Sequence, residues 1–209
     1  RSDDYPSDHY YADINGDNKI DANDRTYIGD PNPDFTYGLN IGLTYKNFEF
    51  SAFFFGSKGN DIMNNTLYFT DFPDFFKGGI RREAVLNSWT PSNTSATIPK
   101  LRTTGGFSTD ASGNVTSYFI SKGSYFRSKQ MQLGYVVPAK LLSKYGVDRV
   151  RIYVQGTNLF TITKYIGLDP ELASQPNSNG QIVNTNQYGM DQGNYPHTPG
   201  YLIGLNINF

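Results

Sequence analysis

Phe35-Thr36-Tyr37-Gly38-Leu39-Asn40-Ile41-Gly42-Leu43-Thr44-Tyr45 separates its side chains completely by parity. The odd positions are all apolar or aromatic, and the even ones are Thr, Gly or Asn. Successive residues of a strand point to opposite faces, so this 11-residue run predicts a strand with two unlike sides. The polar side carries no large group, which suits a wide lumen better than a packed interior. Aromatics stand at both ends of the apolar stripe, where a tyrosine can bury its ring and keep its hydroxyl wet.

Working outward, Lys46-Asn47 forms a two-residue connection that sets Tyr45 opposite Phe48 on one side. Phe48, Phe50, Ala52 and Phe54 then extend the stripe without a slip of register, with Glu49, Ser51 and Phe53 on the other face. Three further strands follow. In 125–137, Met131, Leu133, Tyr135 and Val137 oppose Gln130, Gln132 and Gly134, and simple alternation puts Arg127 and Lys129 at the far end of the apolar side. In 149–159, Val150, Ile152 and Val154 oppose Arg151, Tyr153 and Gln155. In 201–209, Tyr201, Ile203, Leu205, Ile207 and Phe209 alternate with Leu202, Gly204, Asn206 and Asn208. A strand ending on a carboxyl-terminal Phe resembles the insertion signal of bacterial outer-membrane barrels.

The predicted strands, about 35–45, 48–55, 125–137, 149–159 and 201–209, are joined alternately by short connections and by long loops, about 56–124 and 160–200. Short periplasmic turns and long extracellular loops give that alternation. Five strands cannot close, and open edges are not tolerated in lipid. The expected fold is therefore all-β: the last five antiparallel strands of a larger transmembrane barrel, preceded by an extracellular segment, 1–34. The competing architecture is a soluble β-sandwich with two large insertions.

Composition is consistent with the barrel and excludes several alternatives. The 209 residues carry 21 Gly, 16 Tyr and 15 Phe but no Cys, which rules out a disulfide scaffold, a thiolate metal site and a cysteine nucleophile. A formal net charge of −1 offers no basic face to nucleic acid. The mean hydropathy of −0.51 is what alternating strands give when averaged.

Asp13-Ile14-Asn15-Gly16-Asp17-Asn18-Lys19-Ile20-Asp21-Ala22-Asn23-Asp24 has the spacing of a 12-residue calcium loop. Side-chain oxygens fall at Asp13, Asn15, Asp17, Asp21 and Asp24, and Lys19 would supply its backbone carbonyl. Asn18 stands where Gly is usual and tolerates the left-handed conformation. Asp24 in place of Glu makes the pattern more like dockerin-type loops than helix-flanked EF-hands. The expected role of Ca²⁺ is structural, with Ile20 packed beneath the loop; the alternative is a metal-free Asx-rich turn.

No sequence signature of an enzyme is present. His9 and His197 lie far apart without a Ser/His/Asp set, and Walker, G-x-G-x-x-G, G-x-S-x-G and H-E-x-x-H patterns do not occur. Asp71, Asp74 and Glu83 imitate a glycosidase pair only by proximity along the chain. Residues 81–89 read as a short helix stopped before Pro91, and Trp89 is expected in the core of the folded loop rather than as a sugar platform. The aromatic run 67–76 is a candidate interface. Asn64, Asn93 and Asn114 match a glycosylation pattern short enough to arise by chance.

Asp13-Ile14-Asn15-Gly16-Asp17 through Asp24-Arg25, then Ile28-Gly29-Asp30-Pro31-Asn32-Pro33-Asp34-Phe35-Thr36-Tyr37-Gly38-Leu39-Asn40, resembles the hallmark segment of SusC/RagA-type TonB-dependent outer-membrane transporters of Bacteroidetes. Gly59-Asn60-Asp61, Gly123-Ser124-Tyr125-Phe126-Arg127, Gln132-Leu133-Gly134-Tyr135, Gly156-Thr157-Asn158-Leu159-Phe160, Gly167-Leu168-Asp169-Pro170-Glu171 and Gly204-Leu205-Asn206 follow in the family's order. One departure is Tyr195-Pro196-His197-Thr198-Pro199, where the family more often has an Arg shortly after the Pro. The resemblance implies a barrel of about 22 strands, with plug and TonB-contacting segment outside these residues and a SusD-like surface lipoprotein over the long loops. It further implies uptake of glycan oligosaccharides or peptides, a periplasmic C-terminus and no covalent chemistry. Arg151, Tyr153 and Gln155 would then face the lumen, where the favoured role is contact with the plug and the alternative is to line the transport path. The alternative function is a secreted, calcium-stabilised β-rich carbohydrate-binding module.

Overall fold

A computed structural model describes residues 12–73, 76–101, 116–144, 146–172 and 188–209. His9, Asp74, Phe75 and Asn114 lie outside the described residues. The chain forms two units, one of residues 30–62, 122–189 and 194–209, the other of residues 1–29, 63–121 and 190–193.

The first unit is built on one antiparallel sheet of β1 (Phe35–Tyr45), β2 (Phe48–Lys58), β5 (Tyr125–Val136), β6 (Arg149–Thr157), β7 (Thr161–Thr163) and β9 (Gly200–Asn208). Their order is β1-β2-β5-β6-β9, with β7 paired to β5 off that path. Lys46 adopts φ 53° in the two-residue turn, and Tyr45 pairs with Phe48, so the turn hands the apolar parity from β1 to β2. Rows of apolar residues cross the sheet. Leu43, Phe50, Leu133, Val154 and Ile203 make one, and Tyr45, Phe48, Tyr135, Ile152 and Leu205 the next. Leu43, Leu133, Ile152, Val154, Ile203 and Leu205 are all exposed in this chain.

Aromatic side chains gather at both ends of that face. Phe48 and Tyr135 meet at 4.9 Å near the turn, while Phe54 stacks on Phe126 at 5.3 Å and Tyr37 on Phe126 at 6.3 Å at the other end.

Alternation along β5 breaks at Lys129. Phe53 pairs with Gln130 but Phe54 with Ser128, leaving Lys129 as an extra residue, a β-bulge. The expected position of Arg127 on the apolar side is thereby corrected. Phe126 and Ser128 take the apolar face, and Tyr125 and Arg127 move to the polar one. The neighbouring strand breaks at the same level, since β6 stops at Thr157, Asn158 turns left-handed at φ 50° and β7 resumes the pairing. The run 149–159 is therefore not one continuous strand.

The two stretches expected as long loops carry elements of their own. These are α1 (Leu67–Thr70), α2 (Arg82–Asn87) and the parallel pairing of β3 (Asp61–Asn64) with β8 (Met190–Asp191) through Met63 and Asn64, the two β3 residues that belong to the second unit. β3 also pairs with β4 (Ile120–Lys122). Leu67, Phe72 and Phe119 form a core with Met63, Tyr68 and Tyr118 packed against it. Trp89, expected in that core, is half-buried outside it, with its amide donating to Ile98 O at 2.9 Å. The core instead takes Leu67 and Phe72 from the aromatic run 67–76, while Phe69 and Phe76 stay exposed.

Asp71 is held by a cation and a hydroxyl. It is buried, takes two hydrogen bonds from Arg81 at 2.9 and 2.6 Å, and accepts a third from the Tyr118 hydroxyl at 2.6 Å. Burial, reinforced by the Asp71 carboxylate, pushes the Tyr118 hydroxyl far above its ordinary range. Asn64 is 1% exposed, which removes it as a glycan acceptor.

Candidate functional site

The 12-residue acidic loop folds by turning its side chains onto its own backbone. Asp13 accepts from the amides of Gly16, Asp17 and Asn18, Asp17 from Lys19, and Asn15 from Asp17. Asp24 closes the loop by accepting from Ile14 and Asp21 at 2.8 Å each, and those amides pull its carboxyl below the usual range. Asn18 has the left-handed conformation its position requires, φ 61°. Among the described residues no three acidic or imidazole groups are arranged to hold a metal ion. Ile20, expected beneath the loop, is 54% exposed.

On the polar face of the sheet, Glu49 of β2 holds Arg151 at 2.7 Å and Arg149 at 3.2 Å, both from β6. β5 lies between them, and Gly134 makes the crossing possible. A Cβ there would stand 2.9 Å from the Arg151 guanidinium, so a side chain would require the guanidinium to shift. Arg151 also lies over the Tyr153 ring at 4.9 Å, and Tyr153 in turn occupies the space above Gly204. Gln155 reaches Gln130 at 3.3 Å. Arg151, Tyr153 and Gln155 thus share one face with Glu49.

Further along that face stands a cluster that parity alone does not reveal. The bulge brings Arg127 inward, where it is 2% exposed and reaches Asp169 Oδ1 at 2.5 Å, Glu171 Oε2 at 2.6 Å and Thr161 Oγ1 at 2.8 Å. Lys129 caps Glu171 at 2.6 Å. Asp169 accepts the backbone amides of Glu171 and His197 at 2.9 Å each, and His197 Nδ1 lies 2.9 Å from its Oδ2. Burial alone would raise the Asp169 carboxyl, but the His197 and Glu171 amides and Arg127 outweigh it and hold it down to about 2. The signals available in the sequence were two cations with the wrong parity and two acids spaced by two residues. His197, read as isolated, is part of this cluster.

Over 205 residues, 98% of this chain and 19% of the relative, the sequence is 40% identical to TonB-dependent receptor P3 of Formosa agariphila. It is 30% identical over 208 residues to TonB-dependent receptor SusC of Bacteroides thetaiotaomicron, covering 98% of this chain and 18% of that one. The chain belongs with the SusC/RagA-type TonB-dependent receptors. Its fold agrees, since the structure of the RagAB peptide transporter superimposes on 91% of the chain and 19% of its own length, with a TM-score of 0.68 and 27% identity. RagAB in its open-open state gives 0.63 over 85% of the chain. No protein-family model matches the sequence. The chain spans about a fifth of the length of the SusC-type relatives it matches.

Proposed function

We propose that this chain is a wall segment, the last five long strands, of an outer-membrane barrel of about 22 strands that imports glycan oligosaccharides or peptides. The observation that carries the reading is the two-faced sheet, whose apolar face is exposed and framed by aromatics. Ten residues separate Phe35 from Tyr45. At about 3.3 Å per residue and a tilt of 35–45°, that is about 25 Å along the barrel axis, the height of a lipid-facing band. The free edges of β1 and β9 then pair with roughly 17 further strands of the same protein.

On this reading the polar face is the lumen wall. Glu49, Arg151, Tyr153 and Gln155 contact the plug, the C-terminus is periplasmic, and the long loops meet a SusD-like lipoprotein. A TonB-contacting segment elsewhere in the protein couples uptake to the proton-motive force, and no covalent chemistry takes place. The likeness to SusC and to a peptide transporter supports this assignment and leaves both substrate classes open. The test is purification of the full-length receptor from outer membranes. The reading requires heat-modifiable migration on SDS gels and a co-purifying lipoprotein. A detergent-free, folded monomer would instead favour the secreted carbohydrate-binding module.

The Asp13–Asp24 loop would hold Ca²⁺ through Asp13, Asn15, Asp17, Asp21, Asp24 and the Lys19 carbonyl, supporting the extracellular segment. Its carboxylates would have to exchange amide contacts for metal. Calorimetric titration should give heat with the natural protein and none with Asp13→Ala or Asp17→Ala; equal heats in all three would exclude the site.

A further inference from the structure

Asp169 joins three parts of the chain that are distant in sequence: β5 through Arg127, the segment after β7 through Glu171, and the approach to β9 through His197. Its carboxylate is saturated, with two donors on each oxygen. Among the described residues, the groups of this cluster are Arg127 and Lys129 from β5, Glu171 from the segment of Asp169, Thr161 from β7 and His197. Two cations balance two carboxylates, and the Arg127 guanidinium lies 5.6 Å from the centre of the Tyr125 ring.

The position of this cluster has a consequence for the bore. Toward the middle of the sheet the polar face is more open, and Ser51 of β2 and Gln130 of β5 are exposed. At the level of Tyr125 and Arg127 it is covered, since these two are 7% and 2% exposed. Residues 164–172, which follow β7, lie against Arg127 through the Asp169 and Glu171 pairs, and Thr163 Oγ1 at the end of β7 donates to Ser124 O at 2.9 Å. A segment lying on the polar face of a barrel strand is inside the barrel.

We propose that Arg127 and Asp169 are the two halves of a latch that holds residues 164–172 against the lumen wall, making that segment a fixed internal restriction of the transport path rather than part of a movable outer loop. The bulge at Lys129 is what turns the latch inward, and His197 ties the approach to β9 into it. Arg127 and Asp169 are positioning residues. This rests on the reading of the polar face as the lumen.

The experiment uses the full-length receptor in outer-membrane vesicles and reads amide hydrogen exchange of residues 164–172, together with heat-modifiable migration. Arg127→Met keeps the aliphatic stem and removes the charge; Asp169→Asn keeps the shape. Either should speed exchange in 164–172 by about tenfold or more while the barrel stays heat-modifiable. Arg149→Gln, a lost cation on the same face outside the latch, should leave that segment unchanged. Equal exchange in wild type and both latch variants overturns the proposal, as does equal acceleration by Arg149→Gln. If the two buried variants fail to assemble, His197→Gln at the rim decides: faster exchange in 164–172 supports the latch, and unchanged exchange overturns it. Loss of heat-modifiability in the natural protein would instead strike the barrel reading and leave the latch contacts to be judged separately by exchange.

Discussion

Replacing Ile41 with arginine separates the lipid-facing sheet from a soluble one by magnitude as well as sign. Ile41 lies four residues from Tyr45 and six from Phe35 on the apolar parity of β1. At about 3.3 Å per residue and about 40° of tilt it sits roughly 10 Å from the aromatic row at the turn and 15 Å from the other, close to the midplane. An Arg there should cost about 2–4 kcal/mol, an unfolding equilibrium shifted about 30- to 900-fold, while Tyr45→Arg at the interface should cost about 0–1 kcal/mol. Asn40→Arg, one residue away but on the polar face, should cost less than about 0.5 kcal/mol. The assay is urea unfolding of the full-length receptor in lipid vesicles, followed by gel mobility. The reasoning fails if Ile41→Arg and Asn40→Arg cost the same, or if Tyr45→Arg costs as much as Ile41→Arg, since a sandwich core would penalise the whole stripe.

In the loop unit, Arg81→Met strands the buried Asp71 carboxylate and should destabilise that unit by about 3–5 kcal/mol, read as lost exchange protection in 63–73 and 116–121 with the sheet unaffected; a change confined to the sheet would contradict it. The Asp169 carboxyl is held at about 2 against an ordinary 3.8, so its stabilisation is fully present above pH 3.8 and lost as pH falls toward 2. Wild type should therefore exceed Asp169→Asn by about 2 kcal/mol more at pH 5 than at pH 2, and a pH-independent gap refutes the assignment. Gly59 has φ +98°, donates its amide to Ser124 Oγ at 3.0 Å, and would place a Cβ on the Asp34 carboxylate. Gly59→Ala should cost about 2 kcal/mol in thermal or urea unfolding, and a neutral result would show that the turn relaxes freely.

The two-faced sheet was legible because strand parity is a local property. In 35–45 each residue's face follows from its neighbour's, and the two-residue turn transmits that parity to Phe48. The acidic loop was legible for the same reason, since its oxygens and Asn18 satisfy amides within a dozen residues. Trp89 and Ile20 were misplaced because their burial depends on what packs above them, which no local pattern states.

Residue order alone therefore determined the two-faced strands, their order of long and short connections, and the backbone conformation of Asn18. Tertiary structure decided where that parity fails. A single extra residue, Lys129, costs one ladder position and reverses the face of Arg127, and only pairing with β2 shows it. The partners of Arg127, Asp169 and Glu171, lie more than forty residues away, and His197 is farther still. Charge pairing over that separation is set by which segments the fold brings together, because Coulomb attraction acts through space and not along the chain.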